Sequence, residues 1–508
     1  VVGKTADKKS GAGAKPGVDG EFIAGGKSKA DGATIACVYA LAMTVIPAAL
    51  VIKGLPMALA PGVAIGLVMG VLWFCAQMVT TLGVAKGRNA ARTALFLFTT
   101  SQLATYGYAT YGYLPADELA AADRTLITVM AVVAVGIAVI DGVRGLDRID
   151  KLLKTMVVGA TFMAFVGILQ FQFALDLTEY LVLPGLRPNG TMSYVLERSN
   201  FRRPAGTSGH PIEFGVVCAM TVPIALHYAL RGVDFGGQKK RWWLCLAILA
   251  VASMQSLSRS AILGLAIAAI FIVPAMAPKR RVRALWGILG FVVAMRVMVP
   301  GLVGTLLSLF TSISVDPSAE SRRRAVERAG KEIPEHLLLG RGLGTYLPEK
   351  YGWLDNQYLG TLVQNGAIGL ALLIFIYLAG MYCAFRARLA SKDPRIRDLG
   401  VTLAACIAVP GISSATFDLI GFAVATGYTF LLIGAAGALW RTVQEQPGGI
   451  PRLLPTTAQR PRRLQRRQHR GSSSARSGKA SDGSGKPGER AGSATDARRS
   501  TRSSSTAQ

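Results

Sequence analysis

From Ala33 to Trp440 the chain alternates long apolar runs with short polar connections. Each run is roughly 17 to 25 residues, enough for a helix to cross a hydrocarbon core of about 30 Å. The pattern predicts spans at 33–52, 58–82, 91–113, 124–143, 152–175, 213–231, 242–257, 260–277, 284–310, 358–385, 398–415 and 418–440. The expected fold class is therefore an all-α polytopic membrane protein of about twelve transmembrane helices. The run 91–113 carries the weakest apolar signal, because Gln102, Tyr106, Tyr108, Tyr111 and Tyr113 dilute it and mark an interfacial aromatic end.

Composition fits this picture once charge is placed along the chain. The 508 residues are 51% hydrophobic yet carry a formal net charge of +27, a conflict for a soluble globule that disappears when basic and apolar residues are segregated. Basic residues gather in alternate connections: Lys86, Arg88 and Arg92; Arg144, Arg148, Lys151 and Lys154; Lys239 to Arg241; Lys279 to Arg283; Arg386 to Arg397. The intervening short connections nearly lack them, and 114–123 is acidic. By the positive-inside rule the basic set is cytoplasmic, both termini lie inside, and two long connections, 176–212 and 311–357, lie outside.

Three regions follow: a basic cytoplasmic N-terminus (1–32), expected to be disordered; a transmembrane domain (33–440); and a disordered basic cytoplasmic tail (441–508). The tail holds fifteen basic and four acidic residues with no aromatic platform, which favours anionic membrane lipid over nucleic acid as its partner. No leader pattern opens the sequence, so the first span is expected to stay as an anchor. The six cysteines fall in apolar spans without a CxxC and read as small core residues, neither a disulfide framework nor a metal site.

The external loops hold the candidate chemistry. The second contains "DPSAESRRRAVERAGKEIP", a helix with Asp316 as N-cap, Pro317 at its first position and a stop at Pro334. Val326, Ala329 and Ile333 form an apolar stripe, and one turn back lies Arg322, a guanidinium on the buried face that needs an anionic partner. Arg324, Arg328 and Lys331 face elsewhere, with Glu320–Arg324 and Glu327–Lys331 spaced as ion pairs. The first loop ends in "NFRRPAGTSGHPIEFG", where Arg202 and Arg203 supply cations, Gly206 and Gly209 permit close backbone approach, and His210 stands at the membrane boundary. In "LSRSAILGL" a tight turn puts Arg259 at the outer surface.

Three external arginine sites suit a lipid-linked pyrophosphate, since guanidinium binds phosphate oxygens in a bidentate manner at any physiological pH. The stretch "GRGLGTYLPEKYGWLDNQYLG" supplies Gly342 and Gly344 for a turn that returns the chain to the top of the tenth span, with Asp355 and Asn356 at its aqueous end. No βαβ context accompanies "GRGLG", so it is not a dinucleotide fingerprint. Asp355 is either a helix cap or a base for an acceptor hydroxyl.

Four segments in this order, "RPAGTSGHPIEFG", "LSRSAILGL", "SRRRAVERAGKEIPEHLLLGRGLGTY" and "DNQYLGTLVQNGAIGL", resemble the O-antigen ligase and polymerase superfamily of bacterial membrane glycosyltransferases. The resemblance covers roughly residues 200–385 in motifs and 33–440 in span plan. It implies a membrane glycosyltransferase (GT-C-like) fold in the bacterial cytoplasmic membrane. It also implies transfer of a glycan from a polyprenyl-pyrophosphate donor to a hydroxyl of a lipid, glycan or protein at the outer face, with no cofactor and no obligatory metal. By position, Arg203, Arg259 and Arg322 match the family arginines that engage pyrophosphate. The family has His-Asn before the tenth span where this sequence has Asp355-Asn356. Asp355 and His210 are thus both candidates for the base, ahead of His336. A transporter or flippase for lipid-linked sugars, or a non-catalytic part of a polysaccharide export system, is the alternative reading; a transporter would show matched halves and charges on a central cavity.

Overall fold

The computed structural model of the chain describes residues 31–55, 57–78, 87–181, 183–189, 196–198, 201–231, 239–311 and 317–445. The N-terminal segment, the tail with its "RPRRLQRRQHR" run and the proposed Asp316 cap lie outside the described residues. The helices in chain order are α1 (Gly32–Val45), α2 (Pro61–Met78), α3 (Ala90–Tyr111), α4 (Ala116–Gly142), α5 (Leu146–Phe173), α6 (Pro211–Arg231), α7 (Lys239–Gln255), α8 (Arg259–Ala275), α9 (Pro278–Met298), α10 (Leu302–Thr311), α11 (Pro317–Glu332), the single turn α12 (Pro348–Tyr351), α13 (Gln357–Ala390), α14 (Pro394–Ser413) and α15 (Ala423–Glu445). Seven of them, α2, α4, α5, α6, α13, α14 and α15, are long and apolar enough to cross a membrane. The protein is an all-α polytopic membrane protein. Two small antiparallel hairpins accompany the helices: β1 (Leu50–Ile52) with β2 (Leu186–Pro188), and β3 (Leu196–Arg198) with β4 (Phe201–Arg203).

α15 is the axis of the bundle. Of its most apolar window 94% is buried, against 17% for α2, whose side chains face outward along most of their length. Glycines let neighbours approach α15: a Cβ at Gly434 would crowd Val139 and the Gly136 carbonyl, and one at Gly437 would crowd Ile140. Small residues at such contacts gain packing where lipid tails offer no hydrophobic drive. Polar contacts join like ends of the helices. At one end Arg148 meets Asp31 (3.0 Å), Arg92 meets Asp141 (3.0 Å) and Arg231 meets Asp398. At the other, Thr207 donates to the Thr44 carbonyl (2.5 Å) and Arg341 reaches Glu118 (3.2 Å).

The structure moves several boundaries. The run 33–52 is helical only to Val45; Ile46-Pro47 breaks it, and Leu50–Ile52 becomes the strand β1 against the first long loop. The run 284–310 divides into α9 and α10 at Pro300-Gly301, where Gly301 takes φ +87°. α4 starts at Ala116, eight residues before the apolar run, because Asp117 and Glu118 are favourable in the first turn of a helix. α15 continues to Glu445, past the expected start of the tail. Five cysteines are buried as expected, but Cys75 lies exposed on α2.

The glycine-studded loop does not simply turn back to the top of α13. It is inserted into that helix. α13 is broken at Gly366 (φ +65°). In an unbroken helix the amides of Ala367 and Ile368 would bond the carbonyls of Val363 and Gln364. Instead Ala367 and Ile368 donate to the Leu337 and Leu338 carbonyls (2.8 and 3.3 Å), while Val363 and Gln364 accept from the Arg341 and Gly342 amides (2.9 and 3.0 Å). Four backbone groups that the break would orphan are thus all satisfied by residues 337–342. Gly340 (φ +73°) and Gly366 face one another there, and a Cβ on either would overlap the opposing backbone.

Candidate functional site

In β4 the side chains alternate, so Arg202 is exposed and Arg203 turns inward. Phe201 stacks on Phe171 (centroids 6.0 Å apart), and Arg203 Nε donates to the Ser256 carbonyl (3.4 Å). Ser256 opens the tight α7–α8 turn, in which Leu257 holds φ +48° and Arg259 begins α8. The next residue, Ser260, shares a 2.7 Å hydroxyl contact with Thr416. Arg322 on α11 reaches the same residue, its Nη2 donating to the Thr416 carbonyl (2.8 Å). Its Nε is buried and has no acceptor among the described residues.

Thr416 lies in the α14–α15 connection, 414–422, "SATFDLIGF". The first turn of α13 clasps this connection as well. The Gln357 amide donates to the carbonyls of Ser414 (2.9 Å) and Phe417 (3.1 Å), and its side-chain oxygen accepts from the Ile420 amide (2.6 Å). Asn356 is the N-cap of α13, accepting from the Tyr358 and Leu359 amides. Asp355, just before the cap, is half-buried in the left-handed conformation (φ +49°), strained for a residue other than glycine.

Asp418, also on the connection, is the carboxylate the sequence reading missed. Its side chain is exposed at the surface of the connection. Loss of solvation beside the surrounding chain and, secondarily, the Asp355 carboxylate push its pKa up to about 6, against an amide donation from Gly421.

The first loop arrives from the opposite flank. The His210 ring lies 5.4 Å from that of Phe422, and its Nδ1 accepts from the Ile212 amide (3.1 Å). Burial, with the Arg203 charge adding to it, pulls the His210 pKa down to about 4. The imidazole is therefore neutral at pH 7, and since Nδ1 accepts, its proton is on Nε2. Glu213, fully buried one turn into α6, was also missed. It accepts from the Gly209 amide (2.9 Å) on one oxygen and from the Val424 (2.7 Å) and Ala425 (3.1 Å) amides on the other. It thereby caps α15 and ties the Arg203–His210 segment to it.

Other residues fall differently from expectation. On α11 the buried positions are Ala325 and Ala329, while Val326 is exposed, so the apolar stripe is rotated by one residue toward Arg322. Glu320 pairs with both Arg323 and Arg324 (3.0 Å each), and no Glu327–Lys331 ion pair forms among the described residues. Arg328 is not a solvated surface charge: its Nη2 donates to the Trp353 carbonyl (2.8 Å). Gly342 and Gly344 pack against α3 and α4, away from the arginines; a Cβ at either would crowd Ala109 or Thr125. The loop is held at that end by Glu118, which accepts from Arg341, Lys350 (3.4 Å) and Tyr351 (2.6 Å). His336 sits at the end of α11, with its Nδ1 unpartnered among the described residues. No cluster of three or more His, Cys, Asp or Glu suited to a metal occurs among the described residues.

No curated protein matches the chain. Residues 244–374 match the O-antigen ligase family model, a stretch that runs from α7 into α13 and takes in Arg259, Arg322, Asp355 and the inserted loop. Over that stretch the chain is similar to the O-antigen ligase family.

Proposed function

We propose that this membrane protein transfers a glycan from a polyprenyl-pyrophosphate donor to an acceptor hydroxyl at the outer face of the bacterial cytoplasmic membrane. The match of residues 244–374 to the O-antigen ligase family model supports a glycosyl-transferring role of ligase or polymerase type, with a lipid-linked glycan donor and an acceptor as partners. One observation carries the finer reading: α8, α11, α13 and the α6 approach, far apart in sequence, all make contact with the nine-residue connection 414–422.

In this reading Arg203, Arg259 and Arg322 meet the donor pyrophosphate. The acceptor oxygen attacks the anomeric carbon, the bond from that carbon to the pyrophosphate oxygen breaks, and the electron pair leaves with the phosphate. Guanidinium groups placed where that charge develops stabilise the transition state more than the ground state. The hydroxyl proton passes to a carboxylate on the opposite side, with inversion at the anomeric carbon. Asp355 and Asp418 stand together for that role. A carboxylate with a pKa near 6 is a stronger base than an ordinary one and is still mostly ionised at pH 7. His210, presenting Nε2–H, orients an oxygen of donor or acceptor in place of taking a proton.

The topology that goes with this has twelve spans, α1 to α9 and α13 to α15, with both termini cytoplasmic. The alternation then puts 174–210, 256–258, 299–356 and 414–422 on the outer side together, which is where the site residues are found. The positive-inside rule supports it.

Purified protein, supplied with a polyprenyl-pyrophosphate oligosaccharide pool from its host, tests the proposal through release of free polyprenyl pyrophosphate. Release should require an acceptor and vanish in Arg322→Ala and Asp355→Ala. Acceptor-independent binding of labelled lipid without any release would overturn it in favour of a transporter or scaffold.

A further inference from the structure

Arg386 lies at the far end of α13, about 45 Å along the helix from Gln357 at 1.5 Å per residue. Its guanidinium is bracketed by two rings, Tyr382 one turn back (5.8 Å to the centroid) and Trp440 of α15 (5.4 Å). These are cation–π distances, and a guanidinium stacked in this way has its plane fixed. Nε is sealed from solvent and meets no acceptor among the described residues.

The neighbouring arginines at this end are satisfied by protein oxygens. Arg92 pairs with Asp141, Arg231 with Asp398, and Arg441 with Glu445. Arg388 donates to the Arg397 carbonyl (3.1 Å). Arg386 has neither a carboxylate nor a carbonyl partner among the described residues. A half-buried guanidinium without a counter-anion is costly unless an anion comes from outside.

The surroundings say which anion. Tyr382, Phe385 and Leu389 are exposed on the same stretch of α13, and Phe385 stacks on Phe271 of α8 (6.4 Å), so the surface beside Arg386 is apolar, as a surface against lipid would be. Lys392, Arg395 and Arg397 follow in the adjoining connection and the first turn of α14. An apolar face that ends in a fixed guanidinium and a basic rim fits a phospholipid: acyl chain along the helix, phosphate on the fork.

We propose that Arg386, held between Tyr382 and Trp440, binds the phosphate of an anionic phospholipid at the membrane face opposite the Arg322–Asp355 site. The proposal does not depend on the glycosyl-transfer reading.

The test uses the full chain in a neutral detergent, with phosphatidylglycerol and phosphatidylcholine as probes and retained lipid counted by native mass spectrometry. Wild type should retain phosphatidylglycerol in preference to phosphatidylcholine. Arg386→Gln should bind it about tenfold more weakly, and Arg386→Lys should fall between, because an ammonium keeps the charge and loses the fork. Arg388→Gln, which removes a neighbouring charge, should retain the preference. Equal retention by Arg386→Gln and wild type, or an equal loss in Arg388→Gln, would overturn the proposal. So would full displacement of the lipid by inorganic phosphate, which would make this a free-anion site. If Arg386→Gln does not elute as a single species, Arg386→Lys decides alone: retention identical to wild type refutes the fork.

Discussion

Replacing Asp418 by Asn separates the chemistry from the fold, because the two should respond in opposite directions. The folded protein raises the Asp418 pKa from 3.8 to about 6. A carboxylate whose pKa is raised on folding favours the native state when protonated. Its stabilising contribution is complete below about pH 4 and is lost as pH rises through about 6. Above that window the ionised group opposes folding, so Asp418→Asn should melt at a higher temperature than wild type at pH 7.5 and at nearly the same temperature at pH 4. Because Asp418 is exposed, water screens its charge and the gain in melting temperature should be small. Activity should go the other way. If Asp418 takes the hydroxyl proton, only its ionised form works: about nine-tenths of molecules at pH 7 and about one-tenth at pH 5. The rate should therefore fall about tenfold per pH unit below 6, and the Asn variant should lose about 10²- to 10⁴-fold at pH 7.5 along with that acid limb. Acceptor-dependent release of polyprenyl pyrophosphate, measured from pH 5 to 8 beside melting curves in the same detergent, reads both. A variant that keeps the wild-type rate and the wild-type acid limb refutes Asp418 as the base. One that melts lower at pH 7.5 refutes the account of its surroundings.

Three further substitutions probe the scaffold. Glu213→Gln replaces one of the two oxygens that accept three backbone amides in a fully buried place by an NH2 group and should lower stability by about 2 kcal/mol, seen as an earlier melt; an unchanged curve would show that those bonds count for nothing. Gly340→Ala puts a Cβ into the α13 backbone at φ +73°, so about 3 kcal/mol or more should be lost and the protein should aggregate on extraction; a monodisperse variant of native stability would contradict the insertion of the loop. Arg341→Ala leaves the buried Glu118 with Lys350 and Tyr351 only, and should cost about 3 kcal/mol while making the loop accessible to protease near Tyr351; equal resistance to cleavage would argue against this anchor.

Much of the architecture could be read from hydrophobic periodicity, since a helix that must satisfy its own backbone in lipid leaves a long apolar run. Such runs do not show where the backbone breaks when another segment can satisfy it, and so 33–52 and 284–310 read as single spans in the sequence. The same limit hid the centre of the site. Asp418 was absorbed into the start of a span because "LIGFAVATGY" follows it, and only the polar cluster Ser413, Ser414 and Thr416 hinted at a longer connection. Arg322 was legible because one guanidinium broke a periodic stripe. Glu213 was not: its work is to accept three amides from chain segments close in space, and a single sequence cannot display that. Nor could spacing tell Arg328 from its solvated neighbours, since its partner is a carbonyl 25 residues away.

The insertion of residues 337–342 into α13 also sets how this protein can be altered. Loops on membrane enzymes are usually treated as parts to be exchanged at their ends. Here the exchange points cannot fall between the loop and the helix, because Leu337, Leu338, Arg341 and Gly342 complete the hydrogen bonding of Val363, Gln364, Ala367 and Ile368. The transferable cassette is 337–368 as one block. A change of acceptor preference made by recombination would carry Asp355 and Asn356 with it, and so would bring the edge of the site along with the loop.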